Sequence, residues 1–202
     1  ISATETALHC YLFQAMESFN ARYPNVHFKI LNNSTKKSIH IVKEGNVDFA
    51  VVSAPFHIEK PLKKQILREY HDILISGKRY SELKGKQLSI NQLSKYPWIS
   101  LTSEAITRKF LNQYFEKNGL KFEPDIELAT TDMILPAVRH NLGIGFIPPE
   151  FAIDDLDSEE IFEIHVQETF PERNITLIYD TEYPQSIAAK EFLKFLSETT
   201  IL

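Results

Sequence analysis

Apolar residues near the start of the chain recur at the spacing of one helix face. They are Leu8, Tyr11, Leu12, Ala15, Met16 and Phe19. This spacing predicts an amphipathic helix, which ends before Pro24 because proline cannot continue it. Ser2 and Glu5 have the spacing of a capping box at its beginning. Phe13 lies off the apolar stripe, so we expect its side chain to be exposed.

Further along, strand patterns alternate with helix patterns. The predicted strands cover residues 26–30, 49–52, 73–75, 98–101, 126–128, 144–147 and 175–179, and the predicted helices lie around residues 39–42, 110–115, 134–138 and 187–196. The acidic stretch 154–160 is expected to be a surface loop. Strands that alternate with helices favour an α/β fold with parallel sheets and right-handed crossovers.

Small polar side chains are concentrated where a predicted strand is followed by a helix. Four such clusters occupy residues 4–6, 33–35, 102–103 and 130–132. In open α/β sheets, ligands bind beyond the carboxyl ends of the strands, where helix N-termini offer free N–H groups. Each cluster alone has a simpler explanation as a helix cap. Their recurrence at equivalent strand ends favours a shared ligand-binding cleft.

Composition and charge narrow the class of protein. With 202 residues, of which 43% are hydrophobic, the chain is long enough for two small lobes that share a hinge. The net charge is −5 and no basic face is visible, so we do not expect this chain itself to bind DNA. The single cysteine, Cys10, excludes an internal disulfide framework and is interpreted as a small buried hydrophobe.

Neither a membrane-spanning helix nor a leader peptide is predicted. The sequence contains no run of about 18 apolar residues, and Ile1 is not followed by a basic flank and an apolar stretch. We therefore expect a cytoplasmic protein without membrane contact. The abrupt start at Ile1 is interpreted as that of a fragment.

The usual signatures of catalysis, metals and cofactors are missing from the sequence. The seven histidines form none of the spacings HxH, HxxxH or HExxH, so no metal site is predicted. The motifs GxSxG, GxxxxGK[ST] and GxGxxG do not occur. The neighbouring carboxylates Asp154 and Asp155 lack apolar neighbours that could raise a pKa. An enzyme is therefore the weaker hypothesis, and no cofactor is expected.

Four stretches, in the right order, resemble the effector-binding (co-inducer) domain of LysR-type bacterial transcriptional regulators. Residues 3–6, ATET, resemble the turn from the first strand to the first helix of that family. Residues 19–26, 42–50 and 138–148 read FNARYPNV, VKEGNVDFA and VRHNLGIGFIP, and they resemble three further signatures of the family. The resemblance runs over nearly the whole chain.

The sequence departs from the pattern of this family at two places. Asn141 stands where the family usually has glycine, although asparagine also tolerates the left-handed backbone conformation. Residues 77–80, Gly-Lys-Arg-Tyr, stand where the family usually has His-Pro-Leu. The second departure bears on where the chain passes from one lobe to the other.

The resemblance implies the periplasmic-binding-protein type 2 architecture, an α/β fold of two Rossmann-like lobes joined by two crossover strands near residues 73–77 and 175–179. Lobe I would be residues 1–74 plus 178–202, and lobe II residues 75–177. The ligand-binding positions of the family carry over onto Thr4, Thr6, Asn33, Ser34, Thr35, Thr102, Ser103, Thr130 and Phe146. The N-terminal winged helix-turn-helix of the full regulator is absent from this chain.

The function implied is that of a sensor. A small-molecule effector in the cleft between the lobes would shift the geometry of a homodimer or higher homo-oligomer, and hence DNA binding by the missing module. The first helix, residues 5–20, would contact the partner copy. The alternative is a periplasmic solute-binding receptor of an ABC-type transporter, and a third hypothesis is an enzyme with this fold.

The charge of the effector is left open by the sequence. Helix N-termini suit an anion, but Glu5 and Asp132 lie beside the hydroxyl groups, and the four clusters contain no lysine or arginine. A neutral or amine-bearing effector is an alternative.

Overall fold

The computed structural model describes residues 1–53 and 55–199, which form two compact units. Unit 1 comprises the described parts of residues 1–70 and 173–202, and unit 2 comprises residues 71–172. The sequence analysis drew its lobe boundaries at residues 74/75 and 177/178. The observed boundaries lie earlier because each of the two expected crossover strands pairs along its whole length within a single unit.

The sheet of unit 1 has five strands. They are β1 (Ser2–Ala3), β2 (Leu31–Asn32), β3 (Phe49–Ser53), β4 (Leu62–Tyr70) and β11 (Arg173–Asp180), in the order β2-β1-β3-β11-β4. β1 runs parallel to β2 and β3, whereas β11 runs antiparallel to both β3 and β4. The sheet is therefore mixed rather than purely parallel.

The helices of unit 1 follow β1, β2 and β11. They are α1 (Glu5–Ala7), a π-helical segment (Leu8–Leu12) that continues into α2 (Phe13–Arg22), then α3 (Thr35–Lys43) and α7 (Ile187–Thr199). The first helix is capped by Thr4. The capping box expected at Ser2 was wrong, because Ser2 belongs to strand β1. Gly45, with φ +70°, follows the end of α3, a left-handed conformation that glycine adopts without strain.

Aromatic rings hold the helices of unit 1 on the sheet. The fully buried Phe19 lies 4.7 Å from Phe192 of α7 and 6.1 Å from Phe28, measured between ring centroids. This packing explains an error of the sequence analysis, which predicted a strand over residues 26–30. Phe28 faces the ring cluster, and the strand forms only at β2.

The sheet of unit 2 has six strands. They are β5 (Ile73–Gly77), β6 (Gln87–Leu88), β7 (Trp98–Leu101), β8 (Ile126–Leu128), β9 (Ile144–Ile147) and β10 (Ile161–Val166), in the order β6-β10-β5-β9-β7-β8. β7 is parallel to β8 and β9, and β10 is parallel to β6. β5 is antiparallel to both of its neighbours, so this sheet is mixed too.

The helices of unit 2 cover both faces of its sheet. They are α4 (Ile106–Lys117), α5 (Ile134–Arg139) and α6 (Ile153–Asp157), with 3₁₀ turns at Lys78–Leu83, Ile90–Leu93, Thr131–Met133 and Pro149–Phe151. Trp98 packs in one core cluster with Leu111 and Phe115 of α4, whereas Ile99 packs in a second cluster with Val138 of α5. The loop expected over residues 154–160 was wrong, because this stretch contains α6.

We predict that the aromatic cluster of unit 1 is the more sensitive of two sites on the first helix. Phe19→Ala should lower the free energy of unfolding by about 3–5 kcal/mol, because it removes a large buried ring. Glu17→Ala on the same helix is the control: its side chain is exposed and makes no hydrogen bond with a described residue, so the change should stay within about 0.5 kcal/mol. Urea denaturation followed by circular dichroism measures both, and equal losses would contradict the prediction.

Candidate functional site

The polar residues of unit 1 collect at one edge of its sheet. β1, β2 and β3 are parallel, so their carboxyl ends lie at the same edge. Thr4 follows β1, Ser34 follows β2 and Ser53 is the last residue of β3. Backbone hydrogen bonds tie the three strand ends together: the Thr4 N–H donates to the Val51 carbonyl at 3.1 Å, and the Asn33 N–H donates to the Ala3 carbonyl at 3.0 Å.

Most of these side chains already serve the fold. Thr4 Oγ1 accepts the Ala7 N–H at 3.3 Å, and Ser34 Oγ accepts the Lys37 N–H at 3.4 Å, so both are helix caps. The buried Thr35 donates its hydroxyl to the Ser53 carbonyl at 3.3 Å. Asn33 is engaged as well, because its Nδ2 donates to Ser2 Oγ at 3.3 Å.

Thr6 differs from its neighbours. Its residue is only 4% exposed, yet its hydroxyl makes no hydrogen bond with another described residue. It lies in α1, two residues after the capping residue Thr4. Of the five predicted site residues in unit 1, Thr6 is the one whose side chain makes no hydrogen bond within the described residues. Its hydroxyl is therefore available to a ligand.

The N-terminus of α3 has a positive local field. The backbone N–H groups of a first helical turn carry partial positive charge, and Lys36 and Lys37 add two ammonium groups to that turn, which contains no acidic residue. Both side chains are exposed, and neither forms an ion pair within residues 1–53 and 55–199. Two lysines at this end of a helix oppose its dipole, and a bound anion would offset that repulsion.

A second set of polar residues lies at one edge of the sheet in unit 2. Thr102 follows β7 and Thr130 lies just beyond β8, and these strands are parallel. The Thr102 N–H donates to the Leu128 carbonyl at 3.0 Å, which holds the two strand ends side by side. Thr130 Oγ1 donates to Asp132 Oδ1 at 2.5 Å. By contrast, the hydroxyls of Thr102 and Ser103 make no hydrogen bond among the described residues.

Phe146 lies inside the core of unit 2. Its ring is buried and stacks against Phe170 at 4.7 Å and against Trp98 at 5.8 Å between centroids. This placement gives Phe146 a packing role in the aromatic cluster beneath α4. Its assignment as a ligand-binding residue stays a prediction.

A buried cation lies near Thr102, but the fold already employs it. Arg108 is 8% exposed, and its guanidinium donates to the Leu101 carbonyl at 3.1 Å and to Glu127 Oε1 at 2.6 Å. Its Nε donates to Asn112 at 3.0 Å. Because its charge is paired with Glu127 and its guanidinium is hydrogen-bonded to Leu101, Arg108 braces the carboxyl end of β7.

The sequence analysis overlooked Ser100, a buried hydroxyl beside this edge. Ser100 lies in β7, two residues before Thr102; it is 1% exposed, and its Oγ has no hydrogen-bond partner in the described parts of the chain. An unpaired buried hydroxyl costs about 1–3 kcal/mol, so it calls for a partner that is not part of the chain, such as water. The available signal was a serine inside an otherwise apolar strand, Trp-Ile-Ser-Leu.

The Tyr114 phenol in unit 2 is kept neutral by its surroundings. Burial, and after it the charge of Glu168, raise the pKa of Tyr114 to about 12, so this phenol stays neutral and donates its hydrogen bond to the Glu168 carbonyl at 3.1 Å. Within the described ranges, no three His, Cys, Asp or Glu side chains are grouped to hold a metal ion. Among the same residues, no helix has both the length and the apolar surface to cross a bilayer.

Comparison with known proteins gives a consistent result. The sequence model of a family described as LysR substrate binding domain matches residues 1–200. The HTH-type transcriptional regulator CysB of Burkholderia cenocepacia is 26% identical over 147 residues, which are 73% of this chain and 47% of the relative. The chain thus spans about half the length of that regulator.

Solved structures share the fold. The CcmR regulatory domain of Synechocystis PCC6803, in complex with 2-PG, superposes with a TM-score of 0.85 at 20% identity, covering 99% of this chain and 96% of that one. The effector binding domain of QuiR, in complex with shikimate, superposes with a TM-score of 0.82 at 16% identity, covering 96% and 92%. The expected periplasmic-binding-protein type 2 architecture is thereby confirmed.

We predict that removing a hydroxyl that is hydrogen-bonded within the fold lowers the free energy of unfolding more than removing a hydroxyl that is not. Thr35→Val should lower the free energy of unfolding by about 1–3 kcal/mol, because the buried Ser53 carbonyl loses its donor. Thr102→Val should change it by no more than about 0.5 kcal/mol, because that hydroxyl has no intrachain partner to lose. Denaturant titration of both variants is the measurement. A larger loss for Thr102→Val would mean that its hydroxyl serves the fold.

Proposed function

Because the chain belongs to the LysR substrate-binding domain family, we propose that it is the effector-sensing domain of a LysR-type transcriptional regulator. A small-molecule effector binds it and shifts the geometry of a homodimer or higher homo-oligomer, and with it DNA binding by a winged helix-turn-helix elsewhere in the regulator. A ligand shifts such an equilibrium only by its different affinities for the two states. In this proposal the domain acts in the cytoplasm and catalyses nothing.

The observation that carries the proposal is the set of free hydroxyls at the carboxyl ends of parallel strands. Thr6 in unit 1 and Thr102 and Ser103 in unit 2 have no hydrogen-bond partner within the described residues. Edges of this kind are where open α/β sheets bind ligands. Each unit offers its own set, so the contribution of each can be tested separately.

The effector proposed is a small organic anion. Lys36 and Lys37 stand in the first turn of α3, where the helix dipole favours negative charge and no acidic side chain is present. Support comes from the structural relatives, since CcmR is seen with 2-PG and QuiR with shikimate. The neutral or amine-bearing effector considered from the sequence fits this end of α3 less well.

A solute receptor of an ABC-type transporter would have the same fold. The curated relative matched over most of this chain is named a transcriptional regulator, which favours the regulator.

Self-association is the second part of the proposal. Phe13 of the first helix is nearly half exposed, a costly position for a phenyl ring in a monomer. Unit 1 has a slight excess of basic side chains, whereas unit 2 carries all of the net negative charge. Unit 2 also exposes the apolar side chains Met133, Leu142 and Ile153. Opposite charges and exposed apolar groups favour contact between unit 1 of one copy and unit 2 of another.

We predict that an anionic effector binds through Thr102. The domain is screened with 2-PG, shikimate and other small organic anions for a rise in melting temperature that grows with ligand concentration. Thr102→Ala should weaken binding several-fold, since a hydrogen bond to a charged group contributes about 1.5–3 kcal/mol, while the melting temperature of the free domain falls by only a few degrees. Replacing Lys36 and Lys37 by glutamine should weaken binding as well.

Ser81→Ala is the control, because this serine is exposed in unit 2 and follows β5, whose carboxyl end lies at the opposite edge of the sheet from those of β7 and β8. It should bind the effector like the parent. The assignment of the site is wrong if both Thr102→Ala and Thr130→Ala bind as tightly as the parent.

We predict that Phe13→Glu disrupts self-association, because it places a charge at the proposed contact. Sedimentation velocity should give a dimer for the parent and a 23.3 kDa monomer for the variant at the same concentration. Ile187→Glu, at an exposed apolar position in α7, is the control and should leave the dimer intact. A monomeric parent at high micromolar concentration would contradict the proposal.

A further inference from the structure

A cavity in unit 1 lies away from the proposed effector residues. It occupies the turn between β11 and α7, has a volume of about 370 Å³, and is lined by Tyr179, Asp180, Glu182, Tyr183 and Lys190 among others. β11 is antiparallel to β3, so its carboxyl end lies beside the beginning of β3, with Tyr179 opposite Phe49. The cavity is therefore at the edge of the sheet opposite to Thr4 and Ser34, and its size suits a small-molecule site.

The walls of this cavity are fixed by contacts within unit 1. Thr181 donates its hydroxyl to the Pro61 carbonyl at 3.4 Å, and the Ser186 N–H donates to Asp48 Oδ1 at 3.4 Å. The ring of Tyr183 lies against Gly45, where an added Cβ would be 2.6 Å from a ring carbon. The turn is thus anchored to two separate parts of the unit, the loop at residues 45–48 and Pro61.

Asp180 is a largely buried carboxylate in the lining of this cavity. It is 4% exposed, and its Oδ1 accepts the Glu182 N–H at 2.8 Å. Its carboxylate makes no further hydrogen bond and no ion pair with a described residue. A buried carboxylate without a cationic partner is unfavourable. Lys190 lines the same cavity but pairs with neither Asp180 nor Glu182.

The lining is complementary to a zwitterion. Two carboxylates, Asp180 and Glu182, can hold an ammonium group, and the tyrosine rings 179 and 183 offer faces that attract a cation. The unpaired ammonium of Lys190 can hold a carboxylate of the same ligand. We propose that this cavity binds a small α-amino acid, with its ammonium group on Asp180 and Glu182 and its carboxylate on Lys190. This site goes beyond the proposed effector function and gives the domain a second small-molecule input.

The experiment titrates the ¹⁵N-labelled domain with three probes and follows the backbone amide signals by NMR. Glycine carries both charges, ethanolamine the ammonium group alone, and acetate the carboxylate alone. Glycine should cause saturable shifts of the amides of residues 180–186 and 190, ethanolamine should bind several-fold more weakly, and acetate should cause no saturable shift there. Shifts confined to the amides of residues 4 and 34 in unit 1, or of residues 102 and 130 in unit 2, would assign glycine to the proposed effector residues and overturn the proposal.

Four variants test the roles of the side chains. Asp180→Asn should weaken glycine binding about tenfold or more, because it removes a charge-assisted hydrogen bond. Glu182→Gln changes an exposed carboxylate and should also weaken glycine binding. It serves as the test if Asp180→Asn does not fold. Lys190→Ala should abolish the preference for glycine over ethanolamine. Lys194→Ala, one turn further along α7, is the matched control and should bind glycine like the parent.

The proposal fails if glycine gives no saturable shift at residues 180–190, or if Glu182→Gln and Lys190→Ala both bind it like the parent. Neither result bears on the anionic effector, whose binding is tested separately by thermal shift and by Thr102→Ala.

Discussion

The parallel pairing of β1 with β2 and β3 is the constraint on which the rest of this structure depends. Parallel neighbours cannot be joined by a tight turn, so the chain must cross over one face of the sheet, here largely as helices. All carboxyl ends of β1, β2 and β3 therefore meet at one edge, and each helix that follows starts there with unpaired N–H groups. The polar residues at this edge must first satisfy those donors, as Thr4 and Ser34 do. Only what is left over, such as the Thr6 hydroxyl, is available to a ligand.

Much of the fold could be predicted because its strongest signals are local. The strand predicted from the continuous apolar run at residues 49–52 is observed as β3, and each of its residues is buried. The two departures from the family pattern prove to be one feature. Asn141 adopts φ +59°, and its Oδ1 accepts the Arg79 N–H at 2.8 Å. A Cβ at Gly77 would lie 2.6 Å from that same oxygen, so the glycine and the asparagine depend on each other.

The missed elements are those defined by distant partners. β4 has nine residues, but its exposed lysines obscure the alternation of a strand, and it forms because β11 pairs along its whole length from more than 100 positions away. The same limit applies to the site. The sequence found the polar clusters, yet whether a hydroxyl is free is decided by tertiary contacts. Thr35 donates its hydroxyl to the carbonyl of Ser53, which is 18 residues away, whereas the Thr102 hydroxyl has no hydrogen-bond partner in the described parts of the chain.

The two ligand sites proposed in unit 1 lie at opposite edges of one sheet, and this arrangement limits how they can influence each other. β3 ends at Ser53, beside the effector edge, and β11 ends at Asp180, beside the cavity. The pair is hydrogen-bonded from Ile175 opposite Ser53 to Tyr179 opposite Phe49, so any coupling within the unit passes through this rigid ladder. Binding at one edge then alters affinity at the other only as far as it changes the sheet or the charge field, and the coupling free energy is the same in both directions. An amino acid that is neutral overall adds little to that field. Its influence on an anionic effector must therefore come from ordering the turn and α7, which packs on the same aromatic cluster as the first helix.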